Sequence, residues 1–214
     1  MYLPRHFAQD DPAVLRRLMA AYPLATLFSR DAEGPTADHL PLLFDPTGAG
    51  QGVLRGHVAR ANPLWHQAPG QDVLAVFLGP EGYVSPSWYP SKDRHHKVVP
   101  TWNYAVVHAR GRLRVVDDPT WLRALVTRLT QSQESHRPAA WAVDDAPGDY
   151  LAQMLQAIVG IEIELTGLTG KFKLSQNRDA ADRAGVVAAL EAEGRSALAD
   201  AVSDAEPPPP APAG

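Results

Sequence analysis

YAVVHARGRLRVV, residues 104–116, carries the clearest periodic pattern in the chain. Ala105, Val107, Ala109, Leu113 and Val115 fall at alternate positions, with His108, Arg110, Arg112 and Arg114 between them. Successive side chains of a strand point to opposite faces, so this spacing predicts a long strand with one buried and one wet face. Its arginines read as solvated charges paired with acidic neighbours, and contact with DNA phosphate is the competing reading. No helix-turn-helix pattern accompanies them, because neither long predicted helix leads through a short turn into a basic second helix.

Toward the C-terminus, Asp117-Asp118-Pro119 is a helix-capping pattern, and Trp121, Leu122, Leu125, Val126 and Leu129 then repeat at helical spacing. Residues 131–148 are polar and loop-like, a short helix is expected over about 148–157, and Ile161 and Ile163 alternate with Glu162 and Glu164. A turn is expected at Gly167–Gly170. If residues 171–175 are extended, Phe172 and Leu174 enter the core while Lys171, Lys173 and Ser175 share the opposite face. A helix over about 180–193 follows, and AEPPPPAPAG closes the chain with a composition that cannot build a core.

Toward the N-terminus lies YVSPSWYPSKDRHHKVVPTWNY, residues 83–104, with two Trp, three Tyr, three Pro and two adjacent His. Its prolines fix φ and disfavour helix at the residues before them, which predicts a stiff loop that projects aromatic rings and cations. Such a surface suits a planar, anionic ligand. Before it, DVLAVFLG at 72–79 reads as a strand buried on both faces. LATLFS at 24–29, TADHLPLLF at 36–44 and GVLRGHV at 52–58 read as a β-meander, and Asn62-Pro63 caps a short helical turn. Pro12 opens an amphipathic helix that ends at Pro23.

The chain has 214 residues, 45% of them hydrophobic, which is enough for one sizeable core. One domain over 1–193 and an extended, mobile Pro/Ala-rich tail over 194–214 are expected. The absence of cysteine removes disulfides and thiolate chemistry, and a net charge of −4 argues against nucleic-acid binding by bulk electrostatics. No apolar run reaches the roughly 18 residues of a membrane span, and MYLPRHFAQDD lacks an export pattern, so a cytoplasmic protein without a membrane partner is expected.

Several motifs are discounted. GLTGK at 167–171 has two residues between its glycines where a phosphate loop needs four, and GAGQG at 48–52 reads as a hairpin. The serines of SPSWYPS show no nucleophile elbow. His95 and His96 are adjacent, which splays their rings, and no third ligand stands at useful spacing, so no metal site is expected. Pattern alone thus leads to an α+β protein in which six or more mostly antiparallel strands build a small barrel with flanking helices.

MYLPRHF at the start, YPLATL at 22–27, DHLPLLF at 38–44, LRGHVARANPLW at 54–65, YVSPSWYPSK at 83–92, VVPTWNY at 98–104 and GKFKLSQNR at 170–178 together resemble the PaiB-type FMN-binding negative transcriptional regulators. The resemblance runs in order from residue 1 to about 190. It implies a six-stranded split β-barrel, a homodimer, FMN in a cleft between subunits, and DNA as a partner by family likeness alone. FMN would bring a dianionic phosphate, a polar ribityl chain and a flat ring.

Arg60 and Asn62, joined by His57, are candidate phosphate ligands, or else a solvated turn in which Asn62 caps a helix. Lys92 reads as a phosphate or ribityl contact or as an exposed loop lysine. Among Trp88, Tyr89 and Trp102, one flavin contact is expected, with the others in the core or the dimer interface. Asn103 and Gln176 are candidates for the ring edge. Lys171, Lys173 and Ser175 are candidates for neutralising charge across the cleft, or a solvent-facing strand edge. Two other readings stay open: an FMN-dependent oxidoreductase of the pyridoxamine-phosphate oxidase-like branch, and a haem-binding split barrel using His6, His57 or His95. No general acid or base stands out.

Overall fold

A computed structural model of the chain describes residues 1–47 and 50–205. Eight strands pair in one sheet: β1 (Ala8–Gln9), β2 (Leu24–Arg30), β3 (Pro35–Pro41), β4 (Leu43–Asp45), β5 (Val53–Ala59), β6 (Asp72–Val84), β7 (Thr101–Val116) and β8 (Ile158–Lys173). The helices are α1 (Pro12–Ala21), α2 (Leu64–Gln67), α3 (Ser91–His95), α4 (Pro119–Glu134), α5 (Gly148–Gln156), α6 (Ala180–Ala192) and α7 (Ser196–Asp204). The sheet runs β3-β2-β6-β7-β8-β5-β4, with β1 added beside β8. Antiparallel registers include Phe28 against Ala37, Phe44 against Leu54 and His57 against Gly160.

This is the expected α+β split-barrel fold with eight strands in place of six. One extra strand arises where the run 36–44 changes partner. Pro41 has no N–H to continue a ladder, Leu42 donates to the Pro23 carbonyl at 2.9 Å, and the chain leaves β2 for β5. The other is the two-residue β1.

Three strands exceed their expected bounds. β7 begins at Thr101, which brings Asn103 into phase with the buried Ala105, Val107, Ala109 and Leu113. β6 runs on to Val84 and buries one face only: Val73, Ala75 and Phe77 are buried while Leu78 is 53% exposed. Its unbroken apolar composition hid the alternation. β8 continues through Gly167–Gly170 without the expected turn. The physical reason lies at Gly170, where a Cβ would stand 2.4 Å from Leu15 Cδ2 and 2.7 Å from the Gln9 carbonyl. Glycine there admits β1 and α1 against the strand and does not reverse the chain.

The chain forms two compact units. The first comprises Met1–Leu18, Leu78–Val107 and the chain from Thr169; the second comprises Met19–Phe77 and His108–Leu168. The first has its own apolar cluster, in which Val84, Tyr89, Leu174, Val186, Leu190, Leu198 and Val202 are buried together. α7 lies within the segment expected to be an extended tail, yet its Leu198, Ala199 and Val202 belong to that cluster. The proline run of the tail and part of the hairpin expected at 48–52 lie outside the described residues.

The second unit buries Leu27, Leu54, Phe77, Leu113, Leu122, Ile161 and Ile163. α4 starts as its sequence dictates, with Asp118 accepting from Trp121 N at 2.7 Å and proline in the first turn. The wet face of β7 pairs with acids, Arg114 with Glu162 and Arg112 with Asp72 at 3.8 Å.

Candidate functional site

In the first unit, chemistry gathers where β7 begins and β8 ends. Trp102, Asn103 and Tyr104 alternate on β7, so Asn103 points inward at 1% exposure while Trp102 points out at 51%. The Asn103 amide donates to Ser175 Oγ at 2.9 Å. Ser175 lies just past β8 in a left-handed conformation, φ 63°, which is uncommon for a residue bearing a Cβ. Gln176 holds that bend: its Oε1 accepts from Leu174 N at 2.7 Å and its Nε2 donates to the Phe172 carbonyl at 2.5 Å. Ser175, Asn103 and Gln176 are all buried, so they shape the site from beneath.

Above them stand cations. Lys173 Nζ donates to Thr101 Oγ1 and, at 2.6 Å, to the Trp102 carbonyl. Burial pushes its pKa below the usual lysine value, and the nearby charges of Lys171 and Arg178 push it further. Lys171 Nζ lies 5.4 Å from the centre of the Tyr104 ring and 5.6 Å from that of Tyr2. The Arg178 guanidinium lies 4.7 Å over the Tyr89 ring. None of the three cations forms a salt bridge among the described residues.

Tyr89 itself is buried in the apolar cluster, the core role foreseen for part of the aromatic set. Its buried hydroxyl makes no hydrogen bond of good geometry, with Arg178 and Ser175 the polar groups beside it; burial raises its pKa against the lowering charge of Arg178. Trp88 packs against the same cluster, and its carbonyl stands 2.1 Å from where a Cβ on Gly185 would be, so α6 approaches the aromatic segment only through glycine. A second tie is Asp182, buried on α6, which accepts from Ser91 N at 3.0 Å and Ser91 Oγ at 2.7 Å. Lys92 is half-buried and only loosely held, 3.4 Å from Ser87 Oγ.

The remaining candidates belong to the second unit and are engaged internally. Arg60 forms a two-pronged pair with Asp117, at 2.9 and 2.7 Å, and also donates to the carbonyls of Gln156 and Ile158. Its fork cannot close on a phosphate without releasing Asp117. Asn62 donates to Asp38 at 2.6 Å and accepts from Leu64 N at 2.8 Å in a turn just ahead of α2, whose N-cap position is Pro63. The adjoining cavity, about 100 Å³ and lined by Asp31, Thr36, Asp38 and Asn62 among others, has an acidic wall that disfavours a phosphate. His57 has a buried, unpartnered Nδ1 and a pKa lowered by burial.

Arg178, Tyr104, and the Ser91–Asp182 tie escaped the sequence reading. Arg178 was within reach, since it ends the run GKFKLSQNR. Tyr104 was assigned only to its strand, and the tie joins residues 91 apart in sequence.

Comparison with known proteins places this arrangement in a class. The sequence family described as "Putative FMN-binding domain" matches residues 1–167. The protease synthase and sporulation protein PAI 2 of Bacillus subtilis is 32% identical over 196 residues, covering 90% of each chain. Two solved structures share the fold at low identity. The flavocytochrome Anf3 from Azotobacter vinelandii has a TM-score of 0.58 at 13% identity, covering 80% of this chain and 72% of that one. The FAD and heme binding protein from Mycobacterium smegmatis has a TM-score of 0.56 at 17% identity, covering 78% and 73%.

The fold is that of the flavin-binding split barrels. Within that class, the chain belongs to the PaiB-type family of FMN-binding proteins, and FMN is the cofactor this membership assigns to it. The first unit fits such a group: Lys171, Lys173 and Arg178 form no salt bridge among the described residues, and β7 exposes the Trp102 indole, whose N–H donates to Glu81. Arg60 does not fit without rearrangement.

Proposed function

We propose that the chain acts as a cytoplasmic, homodimeric regulator of transcription that binds FMN between protomers. The observation that supports the flavin part is that β7 exposes the Trp102 indole where Thr101 Oγ1 and the Trp102 carbonyl hold the Lys173 ammonium. A planar aromatic cofactor with an anionic tail meets both needs at once. Bound FMN supplies a redox-active ring. The chain's residues present an indole face, neutralise charge through Lys171 and Lys173, and hold the strand ends rigid through Asn103, Ser175 and Gln176.

The dimer is supported by uncovered apolar side chains of the first unit. Leu78, Tyr83, Val99 and Trp102 are all exposed, and a second copy of the chain is the occupant that the PaiB likeness favours. A flavin bound by two protomers regulates only through different affinity for two arrangements of that pair.

The test is co-purification, release on denaturation and mass analysis of what is bound. FMN in the released fraction is the expected result, with Trp102→Ala weakening FMN and riboflavin equally, about tenfold, through lost ring contact. A Soret band without flavin, or no flavin at saturating FMN, would sink the reading. The regulatory part expects a salt-sensitive, sequence-selective shift of promoter DNA that changes when the flavin is removed, and a shift indifferent to flavin refutes it.

A further inference from the structure

We propose that the cavity at the tip of the β2–β3 hairpin binds a small primary amine through its ammonium head. Its walls all belong to the second unit, and the site stands independently of the flavin reading.

β2 and β3 pair with Leu27 opposite Asp38 and Ser29 opposite Thr36, and the turn that joins them is closed by a bond from Asp31 N to the Gly34 carbonyl at 2.9 Å. Ala25, Leu27 and Ser29 alternate on the buried face of β2, so that face changes from apolar to polar as the hairpin nears its tip. A cavity of about 100 Å³ lies there, walled by Ser29, Asp31, Thr36 and Asp38. Ser29 is 8% exposed, and its buried hydroxyl has no hydrogen-bond partner. A buried hydroxyl left unsatisfied is unfavourable, and an occupant of the cavity that bonds to it removes the penalty.

The rest of the wall selects that occupant. Asp31 Oδ1 accepts from Glu33 N at 2.8 Å and Gly34 N at 3.0 Å, and Asp38 Oδ1 accepts from the Asn62 amide at 2.6 Å. Each carboxylate keeps its second oxygen without a hydrogen bond among the described residues, and neither forms a salt bridge there. No Lys, Arg or His lines the cavity among the described residues. Ionised carboxylates accept and do not donate, so the matching occupant donates and carries positive charge. A primary ammonium does both, with three N–H donors on one compact charge. A metal ion matches less well, because no group of three or more acidic or histidine side chains gathers to hold one among the described residues. Pro63 and Leu64 give the same cavity an apolar side, which suits a short carbon chain behind the ammonium.

The experiment titrates the full chain with propylammonium chloride at fixed ionic strength, with propan-1-ol as the uncharged isostere and calcium chloride as the metal probe. Calorimetry and backbone amide resonances are the readouts. Saturable binding of propylammonium, with amide shifts at residues 29–38 and 62–64 that propanol does not produce, is the expected result. Asp38→Asn should weaken it about tenfold or more and Ser29→Ala about fivefold, while the surface control Glu191→Gln leaves it unchanged. Ser29→Ala should melt no lower than the unmutated chain, since it removes a hydroxyl that has no partner in the chain. If Asp38→Asn fails to fold through loss of its bond with Asn62, Asp31→Asn takes its place with the same expected loss. Propanol binding as tightly, calcium binding at lower concentration than propylammonium, displacement of propylammonium by FMN, or no saturation by about 100 mM overturns the site.

Discussion

Asp45 is only 5% exposed and yet ionised. Burial alone would raise its pKa, but hydrogen bonds from Thr47, the Arg128 guanidinium and the charge of Arg55 outweigh that and hold it well below its ordinary value of 3.8. The unfolded chain therefore takes up a proton near 3.8 before the folded chain does. The stabilisation is complete above that pH and is lost as pH falls toward the lower folded value. Asp45→Asn leaves Arg55 and Arg128 facing a neutral group, and at pH 7 it is expected to cost about 3 kcal/mol. Urea titrations at pH 7 and pH 3 check this: the penalty should shrink in acid, and an equal penalty at both would mean that charge is not what Asp45 contributes. The residue was invisible as a hub beforehand, because its partners at 55 and 128 are far off in sequence and no periodic pattern joins them.

α7 shows how an element becomes worth forming. Its apolar positions, Leu198, Ala199 and Val202, are few and small, so nothing in SALADAVSD demands a helix in isolation. Docked beside Val186 and Leu190 of α6, the same residues are buried, and Arg183 closes the far end by donating to the Val202 carbonyl at 2.9 Å and the Ala205 carbonyl at 2.5 Å. Leu198→Ala should cost about 2–4 kcal/mol through the cavity it opens. The same change should destabilise the Tyr89 region, read as a loss of hydrogen-exchange protection at 84–91, whereas a frayed helix would give no loss there. α4 needed no such context, since its capping aspartate and helical periodicity announce it, and α6 is expected over about 180–193, its cap by Asp179 being shown only by the structure. β8 needed context in the opposite sense, because its glycines look like a turn until β1 and α1 are seen to press on Gly170.

For the whole molecule, the exposed Leu78, Tyr83 and Trp102 of the first unit predict self-association. Sedimentation should give a dimer, and Leu78→Glu should shift it toward monomer with FMN affinity falling in step if the flavin lies between protomers. A monomer for the unmutated chain would remove the shared site. What the sequence alone determined is the set of elements with strong local periods: the alternation of β7, the capped α4, the helix α6, and the aromatic segment stiffened by proline. Those follow from side-chain geometry over a few residues. What only the tertiary structure decided is which cations are free. Arg60, Lys92, Lys171 and Lys173 look alike along the chain, but Asp117 neutralises Arg60 while Lys171 and Lys173 meet Arg178 with no carboxylate partner among the described residues. The Coulomb energy of a charge depends on neighbours brought close by folding, and sequence spacing does not contain those distances.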